Sequence, residues 1–364
     1  MSVRRLRVGI VGSGKRSDYL YCPLVQILRD DLELVGVHGR RIEAAASLGA
    51  KHGVPAFDDL ARMVREARPD LLIVSVRNSA NGPIAREVAR LGVPLLVETP
   101  VANDLADSDA LIAESEARGF PVEVAEQYYR RPMERIKVAL IRSGLLGEVH
   151  AAYNDFMGHG YHGVSLVRSY VGFEVPVRRV SMVRREYPVI PHHNWTGGAL
   201  LEREWWEHGV IQFANGAVGV FDWTSIGYGS ALRWQRSTRF FATGGTAVGD
   251  EVTVVSPDGK ERVPIRLERR IHNVGGMEAL AEVVAHSDPP VVWRNPLSAY
   301  YLEDEMIAVG ACLWSLVEAV REGTSVEYGP RQGRLDQEVY LAMRRSAEAD
   351  GAPVDLPLET EPGQ

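Results

Sequence analysis

Two glycine-bearing stretches of this chain carry residues able to do chemistry. The first lies near the start, Leu6 to Leu28, and reads LRVGIVGSGKRSDYLYCPLVQIL. An apolar run (Val8, Ile10, Val11) meets Gly12, Ser13 and Gly14, then Lys15 and Arg16, and afterwards Leu20, Leu24, Val25, Ile27 and Leu28 recur at roughly helical spacing. Strand, tight turn and helix in that order bring main-chain N–H groups and a helix N-terminus against a diphosphate, which glycine permits because it has no Cβ. Ser17, still small, fills the third place of the Gly-x-Gly-x-x-Gly spacing. The same residues also suit a strand-to-helix turn without a ligand, so their surroundings have to decide. The second stretch, Gly158-His159-Gly160-Tyr161-His162, sets three polar rings among glycines. An imidazole, with an ordinary pKa near 6.5, can take or give a proton near neutrality.

A third position bears on the first. In a dinucleotide-binding domain an Asp or Glu about 20 residues past the glycine turn, at the end of the second strand, holds the adenosine ribose hydroxyls. That place reads Val37-His38-Gly39-Arg40-Arg41. A missing carboxylate removes repulsion against a 2′-phosphate, and guanidinium groups bind phosphate through paired, charged hydrogen bonds. The residues therefore lean to NADP over NAD, against the alternatives that Arg40 and Arg41 are a solvated helix entrance or that NAD binds through main-chain contacts.

The elements that must position these residues alternate. Leu32–Val37 reads as a strand, 42–52 as an Ala-rich helix, 54–57 as a short strand, 59–67 as a helix and Leu71–Val76 as a continuous apolar strand of the kind buried on both faces. Helix 83–91, strand 94–97, helix 104–118 and strand 122–125 complete a doubly wound α/β domain. After helix 133–143 and strand 150–156 the pattern changes. Residues 178–266 are rich in Val, Phe, Trp, Thr and Tyr, with hairpin signals at Asn215-Gly216, Gly244-Gly245 and Asp258-Gly259, so a largely antiparallel sheet is expected. Helices are expected again at 276–286, 299–322 and 334–350. The fold class is α/β: a Rossmann dinucleotide-binding domain (1–126), a C-terminal α+β domain with a large, mostly antiparallel open sheet (127–358) and a polar tail (359–364).

Composition bounds the function. A chain of 364 residues with 45% hydrophobic and 24% charged content can bury two sizeable cores. A net charge of -7 argues against nucleic acid as the main partner. Two distant cysteines, Cys22 and Cys312, in apolar helical contexts suit buried thiols in a cytoplasmic protein. No apolar segment approaches the roughly 18 residues of a membrane span, and no His, Cys or carboxylate cluster has metal spacing.

With Leu71 to Leu105 in view the chain resembles the glucose-fructose oxidoreductase / inositol dehydrogenase / rhizopine catabolism (Gfo/Idh/MocA) family. The matching stretches are the glycine turn, Ser75 to Asn81 (SVRNSAN), Leu96 to Ala102 (LVETPVA), Glu126 to Pro132 (EQYYRRP), Gly144 to Val149 and Gln337 to Leu358. The resemblance implies hydride transfer between a nicotinamide cofactor and a sugar, cyclitol or related polyol, in a homodimer or homotetramer. Carried over residue by residue, it places the cofactor on Gly12, Ser13, Gly14, Lys15, Arg16, Arg40, Arg41, Val76, Asn78, Glu98 and Gln127, and the substrate on Tyr128, His159 and His162. Two positions depart from the family pattern. Glu98-Thr99-Pro100 stands for Glu-Lys-Pro, so the proton-relaying lysine is absent, and a threonine hydroxyl does not titrate near neutrality. Gly158 takes the place of an aspartate four residues before His162.

His162 is then the proton shuttle, with Tyr161 and Thr99 beside it in the catalytic set. The absent lysine keeps a second reading open, a glycosidase that holds NAD tightly through an oxidation, elimination and reduction cycle. A third is a nucleotide-binding protein of the same fold without turnover. Arg184, Arg185, His192, His193 and Asn194 are expected in a loop, either solvated or near the substrate. Trp205, Trp206, Trp223 and Trp234 stack on a sugar ring or belong to core and interface.

Overall fold

The computed structural model describes residues 4–193, 198–228, 230–231, 236–256 and 258–358. Asn194, Trp234 and the expected tail lie outside them. Two compact units emerge, interleaved along the chain. One holds the described residues through Arg131 together with Ile271–Leu280 and Asn295–Leu335; the other holds Pro132–Arg270, Ala281–Arg294 and the residues from Asp336 onward.

The first unit is built on six strands: β1 (Leu6–Val11), β2 (Leu32–His38), β3 (Ala56–Phe57), β4 (Leu71–Val74), β5 (Leu95–Val97) and β6 (Val122–Val124). Their order, β3-β2-β1-β4-β5-β6 and all parallel, reverses direction beside β1, which is where ligands sit in open α/β sheets. Helices α1 (Cys22–Ile27), α2 (Ile42–His52), α3 (Leu60–Ala67), α4 (Asn78–Arg90) and α5 (Leu105–Arg118) make the crossovers. Every residue of β4 and β5 is buried. Each large apolar side chain so buried is worth about 1.5–3 kcal/mol, against about 0–1 kcal/mol for a surface ion pair, so the sheet core holds this unit together. Side chains of Asp59 and Asp104 cap α3 and α5 by accepting from Arg62 N and Ala106 N. Helix α4 starts at Asn78, five residues ahead of the expected Pro83, because a proline in the second turn forfeits only one early hydrogen bond.

In the second unit, α6 (Pro132–Arg142), β7 (Val149–Asp155) and α7 (Gly160–Val171) precede the long strands β8 (Val177–His193) and β9 (Leu200–Phe213). There follow β10 (Val218–Thr224), β11 (Ser237–Ala242), β12 (Gly245–Val248), β13 (Glu251–Val255) and β14 (Arg262–Ile265). Next in the chain, passing between the two units, come β15 (Leu267–Val274), β16 (Met277–Ala285), β17 (Val291–Arg294), α8 (Asp304–Glu322, in the first unit), α9 (Pro330–Glu348) and β18 (Val354–Asp355). A nine-stranded sheet runs β14-β13-β12-β11-β7-β10-β9-β8-β18, antiparallel except for the β7/β10 pair. The β9/β10, β11/β12 and β13/β14 connections fall at the three glycine dipeptides read from the sequence. Helix α7 packs on one face, where Gly219 lies against Val167. The opposite face exposes Val210, Phe241, Val248 and Val255.

Three expectations are corrected. Residues 276–286 form strand β16 rather than a helix, pairing antiparallel with β17 from Glu282↔Arg294 to Ala285↔Val291. The helix-favouring Glu and Ala residues yield to ladder hydrogen bonds, a tertiary override of local propensity. Arg184, Arg185, His192 and His193 lie in β8 rather than in a loop. The His159–His162 stretch opens helix α7, which the sequence reading left without an element.

Candidate active site

Gly12 follows β1 with φ +120°, and its N–H donates to the His38 carbonyl at 2.8 Å. A Cβ there would stand 1.9 Å from the Ser75 carbonyl oxygen, so the close approach of the β1 and β4 ends demands glycine. Gly14 is different: it is exposed, and a Cβ would meet no atom within 4 Å. Ser13 packs its hydroxyl against Gly39 at the end of β2. The helix that follows opens with a π-turn, Ser17–Tyr21, and continues as α1. Such turns inside helices recur at functional sites.

Arg16 pairs its Nε with Glu98 Oε1. Tyr21 donates its hydroxyl to the same oxygen at 2.5 Å, and Thr99 N donates to Glu98 Oε2 at 3.1 Å. Burial works against the Arg16 charge, but Glu98 outweighs it and holds the guanidinium above its ordinary range. Burial and Glu98 push Tyr21 well up as well. Asn81, on α4, donates to the carbonyls of Glu98 and Pro100, the latter at 2.6 Å, and so fixes the Glu98-Thr99-Pro100 turn. Neither the Arg16–Glu98 pair nor the Asn81 clamp was read from the sequence, since each joins residues remote in the chain.

The chemistry left unsatisfied here fits a nicotinamide dinucleotide. Ser17 Oγ, His38 Nδ1, Asn81 Oδ1 and Gln127 Oε1 are buried polar atoms without a partner. They sit on or just beyond the carboxyl ends of β1, β2, β4 and β6. Buried polar atoms in folded proteins are normally paired, so orphans collected on one edge suit a polar ligand. Lys15, Arg40 and Arg41 are exposed and unpaired among the described residues, matching an anionic one. Val76 is half-buried, Asn78 is exposed on the first turn of α4, and Tyr128 is buried with Arg131 over its ring at 4.9 Å.

In the second unit the chain leaves β7 and is caught by Asn154. Its Oδ1 accepts from Gly158 N at 2.8 Å, and its Nδ2 donates to the Gly158 and Asp222 carbonyls at 2.9 and 3.0 Å. His159 then stands at the N-terminal boundary of α7, with no side-chain bond to the helix's free N–H groups. A Cβ at Gly158 would lie 2.8 Å from Gly163 N and 2.9 Å from the His162 carbonyl carbon. No side chain fits there, so the backbone itself closes the aspartate's place.

The rings of the cluster touch. Their centroids are separated by 4.8 Å for His159 and His162, 4.5 Å for Tyr161 and His162, and 5.5 Å for His159 and Trp223. His162 is buried, at 4% exposure, while His159 and Tyr161 are half-buried. Burial, then the neighbouring His162, pushes His159 down to about 3, so its imidazole is neutral at pH 7. Tyr340 lies against Gly160 and bonds the fully buried Glu207 at 3.3 Å, whose carboxyl burial raises. A polar Asn at a buried position of a strand was the one available sign of this support.

The three described tryptophans of that set do not share a site. Trp223 joins His159, Arg184 covers Trp205 at 4.5 Å, and Trp206 lines a groove of about 840 Å³ with Tyr187, Ile190, His192 and His208. Among the described residues no group of three or more His, Cys, Asp or Glu could hold a metal ion, and no helix is long and apolar enough to cross a membrane.

Residues 6–126 match the model of an oxidoreductase family with an NAD-binding Rossmann fold, Gfo/Idh/MocA. Dehydrogenase aclE of Aspergillus oryzae is 28% identical over 165 residues, 41% of this chain and 43% of that one. An uncharacterized protein of Saccharomyces cerevisiae is 24% identical over 156 residues, 42% of this chain and 44% of that one. The chain thus spans less than half the length of the curated relatives it matches. Among solved structures, levoglucosan dehydrogenase in complex with NADH and levoglucosan superposes with TM-score 0.70 at 18% identity, covering 98% of this chain and 100% of that one. The WlbA dehydrogenase of Bordetella pertussis, in complex with NADH and UDP-GlcNAcA, gives 0.65 at 18% identity over 98% and 100% of the two chains. At these identities the likeness is one of fold.

Proposed function

We propose that this protein is an NAD(P)-dependent oxidoreductase that transfers a hydride to or from a hydroxyl or carbonyl carbon of a sugar, cyclitol or related polyol. The observation that supports the reading is the close turn at Gly12, on the edge of the parallel sheet where the strand order reverses, in a stretch that matches a family with an NAD-binding Rossmann fold. A bound nicotinamide would accept or deliver the hydride. Gly12 to Arg16 hold the diphosphate, Arg40 and Arg41 favour a 2′-phosphate, Val76 and Asn78 flank the nucleotide, and Glu98 and Gln127 lie toward the nicotinamide ribose. Tyr128 and His159 bind substrate, and His162, supported by Tyr161 and Thr99, moves the hydroxyl proton. Assembly as a homodimer or homotetramer in the cytoplasm belongs to the same proposal, with the exposed apolar sheet face as the contact.

Thr99 favours a second reading, the glycosidase cycle on tightly held NAD, because the lysine that serves net oxidation is missing. The test is to denature the purified protein, identify any released nucleotide by mass spectrometry, and assay a sugar and polyol panel with free NAD+ and NADP+. Multiple turnovers with reduction of free cofactor are expected. Aglycone release without net reduction selects the glycosidase, and stoichiometric binding without turnover on any substrate removes both. His162→Ala is expected to lower kcat by about 10²- to 10⁴-fold with nucleotide affinity held. Unchanged turnover removes His162 from the mechanism.

A further inference from the structure

We infer that the substrate of this protein carries an anionic group, a carboxylate or a phosphate, and that Arg184, lying on the Trp205 ring, is the residue that takes it. The inference rests on the sugar oxidoreductase reading and narrows it: the reacting sugar or polyol is an acid or a phosphate ester.

The register of β8, β9 and β10 sets Arg184 opposite Glu207 and Glu207 opposite Trp223, so the three form one row on one face of the nine-stranded sheet. It is the face on which α9 packs, where Gly209 meets Met343 and the Tyr340 hydroxyl donates to Glu207 at 3.3 Å. Tyr340 also lies against Gly160, and Trp223 meets the His159 ring at 5.5 Å. Two separate links therefore tie Arg184 to the histidine turn, both within the second unit. Neighbouring strands lie about 4.8 Å apart, so Arg184 and Trp223 are roughly 10 Å apart at the main chain. A sugar ring with one charged substituent, met by a long arginine side chain, covers that span.

The Arg184 guanidinium is held but not spent. Its carbon lies over the Trp205 ring at 4.5 Å, which orients the planar fork. Its ion-pair partner, Glu207, comes no nearer than 4.0 Å, at Nε, which is too far for a hydrogen bond. Among the described residues its two terminal nitrogens donate to no acceptor, and the side chain is 33% exposed. An arginine of the same unit that serves as a structural counter-ion is used otherwise: Arg168, fully buried, gives Nη1 to Asp336 and Nη2 to the Phe173 carbonyl. The surrounding charges leave an excess. Glu186, next on the same face of β8, is paired with Arg203 at 3.6 Å. Arg344 of α9 acts on Glu207 as Arg184 does, so two guanidinium groups stand about one buried carboxylate. A fork with both ends free matches a carboxylate or a phosphate through two parallel, charged hydrogen bonds, a fit that a neutral hydroxyl does not offer.

The experiment measures steady-state kinetics of the full-length protein, with saturating NAD+ or NADP+, on matched sets: a neutral hexose, its uronate and its terminal phosphate ester, in the gluco, galacto and manno series. In at least one set the wild type is expected to favour an anionic member over the neutral one by about 10- to 100-fold in kcat/KM, chiefly through KM. That preference should shrink as salt is raised. Which member is favoured tells a carboxylate from a phosphate. Arg184→Gln is expected to bring the anionic-to-neutral ratio to within about 2-fold of one, and Arg184→Lys, which keeps the charge without the fork, to restore part of it. Neutral members used as well as their anionic partners in every set overturn the inference on the wild type alone, without any variant having to fold. So does a ratio unchanged in Arg184→Gln, which leaves Arg184 as no more than the counter-ion of Glu207. Turnover of no member of any set is a separate result, and it removes the oxidoreductase reading together with what rests on it.

Discussion

The glycine turn of the first unit and the histidine turn of the second use the same residue type to opposite ends. At Gly14 the absent side chain leaves open space, with unpaired polar groups gathered on the neighbouring strand ends. At Gly158 and Gly163 the space is already filled by the chain itself: a Cβ on Gly163 would lie 2.5 Å from the Phe221 ring and 2.7 Å from the Gly158 carbonyl. One turn is open at Gly14, and the other is closed around its own rings. Glycine in a motif therefore says that something comes close, and only its neighbours say whether that is a ligand or the protein.

Substitutions at the two turns should separate these roles. Gly163→Ala has the larger effect, because the new methyl meets backbone that cannot move: a loss of about 1–3 kcal/mol is expected, seen as a lower Tm. A Tm equal to that of the wild type would show that the second turn is as open as the first. Gly14→Ala should do the reverse. Its methyl enters empty space at a backbone angle alanine adopts, so stability stays level or rises by about 0.4–1 kcal/mol. Nucleotide affinity should fall by about 10-fold or more as the methyl occupies the phosphate's approach; a titration with unchanged Kd would break the comparison from the other side.

The smallest effect is in pH dependence. His159, pushed down to about 3, stays neutral in the folded protein where an unfolded histidine, with a pKa near 6.5, takes up a proton. Its contribution to stability is therefore fully present above about pH 6.5 and drains away as the pH falls toward 3. His159→Gln should flatten that acid-side decline in denaturant melts between pH 7 and 4. An unaltered slope would mean that the ring is not held neutral by its packing.

Much of the architecture was legible because it rests on local signals. The continuous apolar run of β4 can only be a strand covered on both faces, and the glycine dipeptides at 215–216, 244–245 and 258–259 mark hairpins by main-chain conformation alone. The misread segment, β16, shows the limit: its Glu and Ala residues favour a helix, and its strand state comes from a partner, β17, whose pairing no local pattern announces.

The candidate site divides in the same way. Residue type and spacing were enough to single out the glycine turn, Arg40, Arg41 and the three rings from His159 to His162. What surrounds them was not legible: the capture of Arg16 by Glu98, the Asn81 clamp on the Glu98-Thr99-Pro100 turn, the Asn154 clamp on Gly158 and the orphaned Nδ1 of His38.

The sequence by itself determined the order of strands and helices as far as β6, the places of three hairpin turns and the kinds of groups at two candidate sites. Those follow from backbone conformation and hydrophobic periodicity, which act between near neighbours. Only the tertiary structure decided which polar groups are satisfied and which glycines are filled. Burial, close contact and loss of solvation are set by residues dozens to hundreds of positions apart.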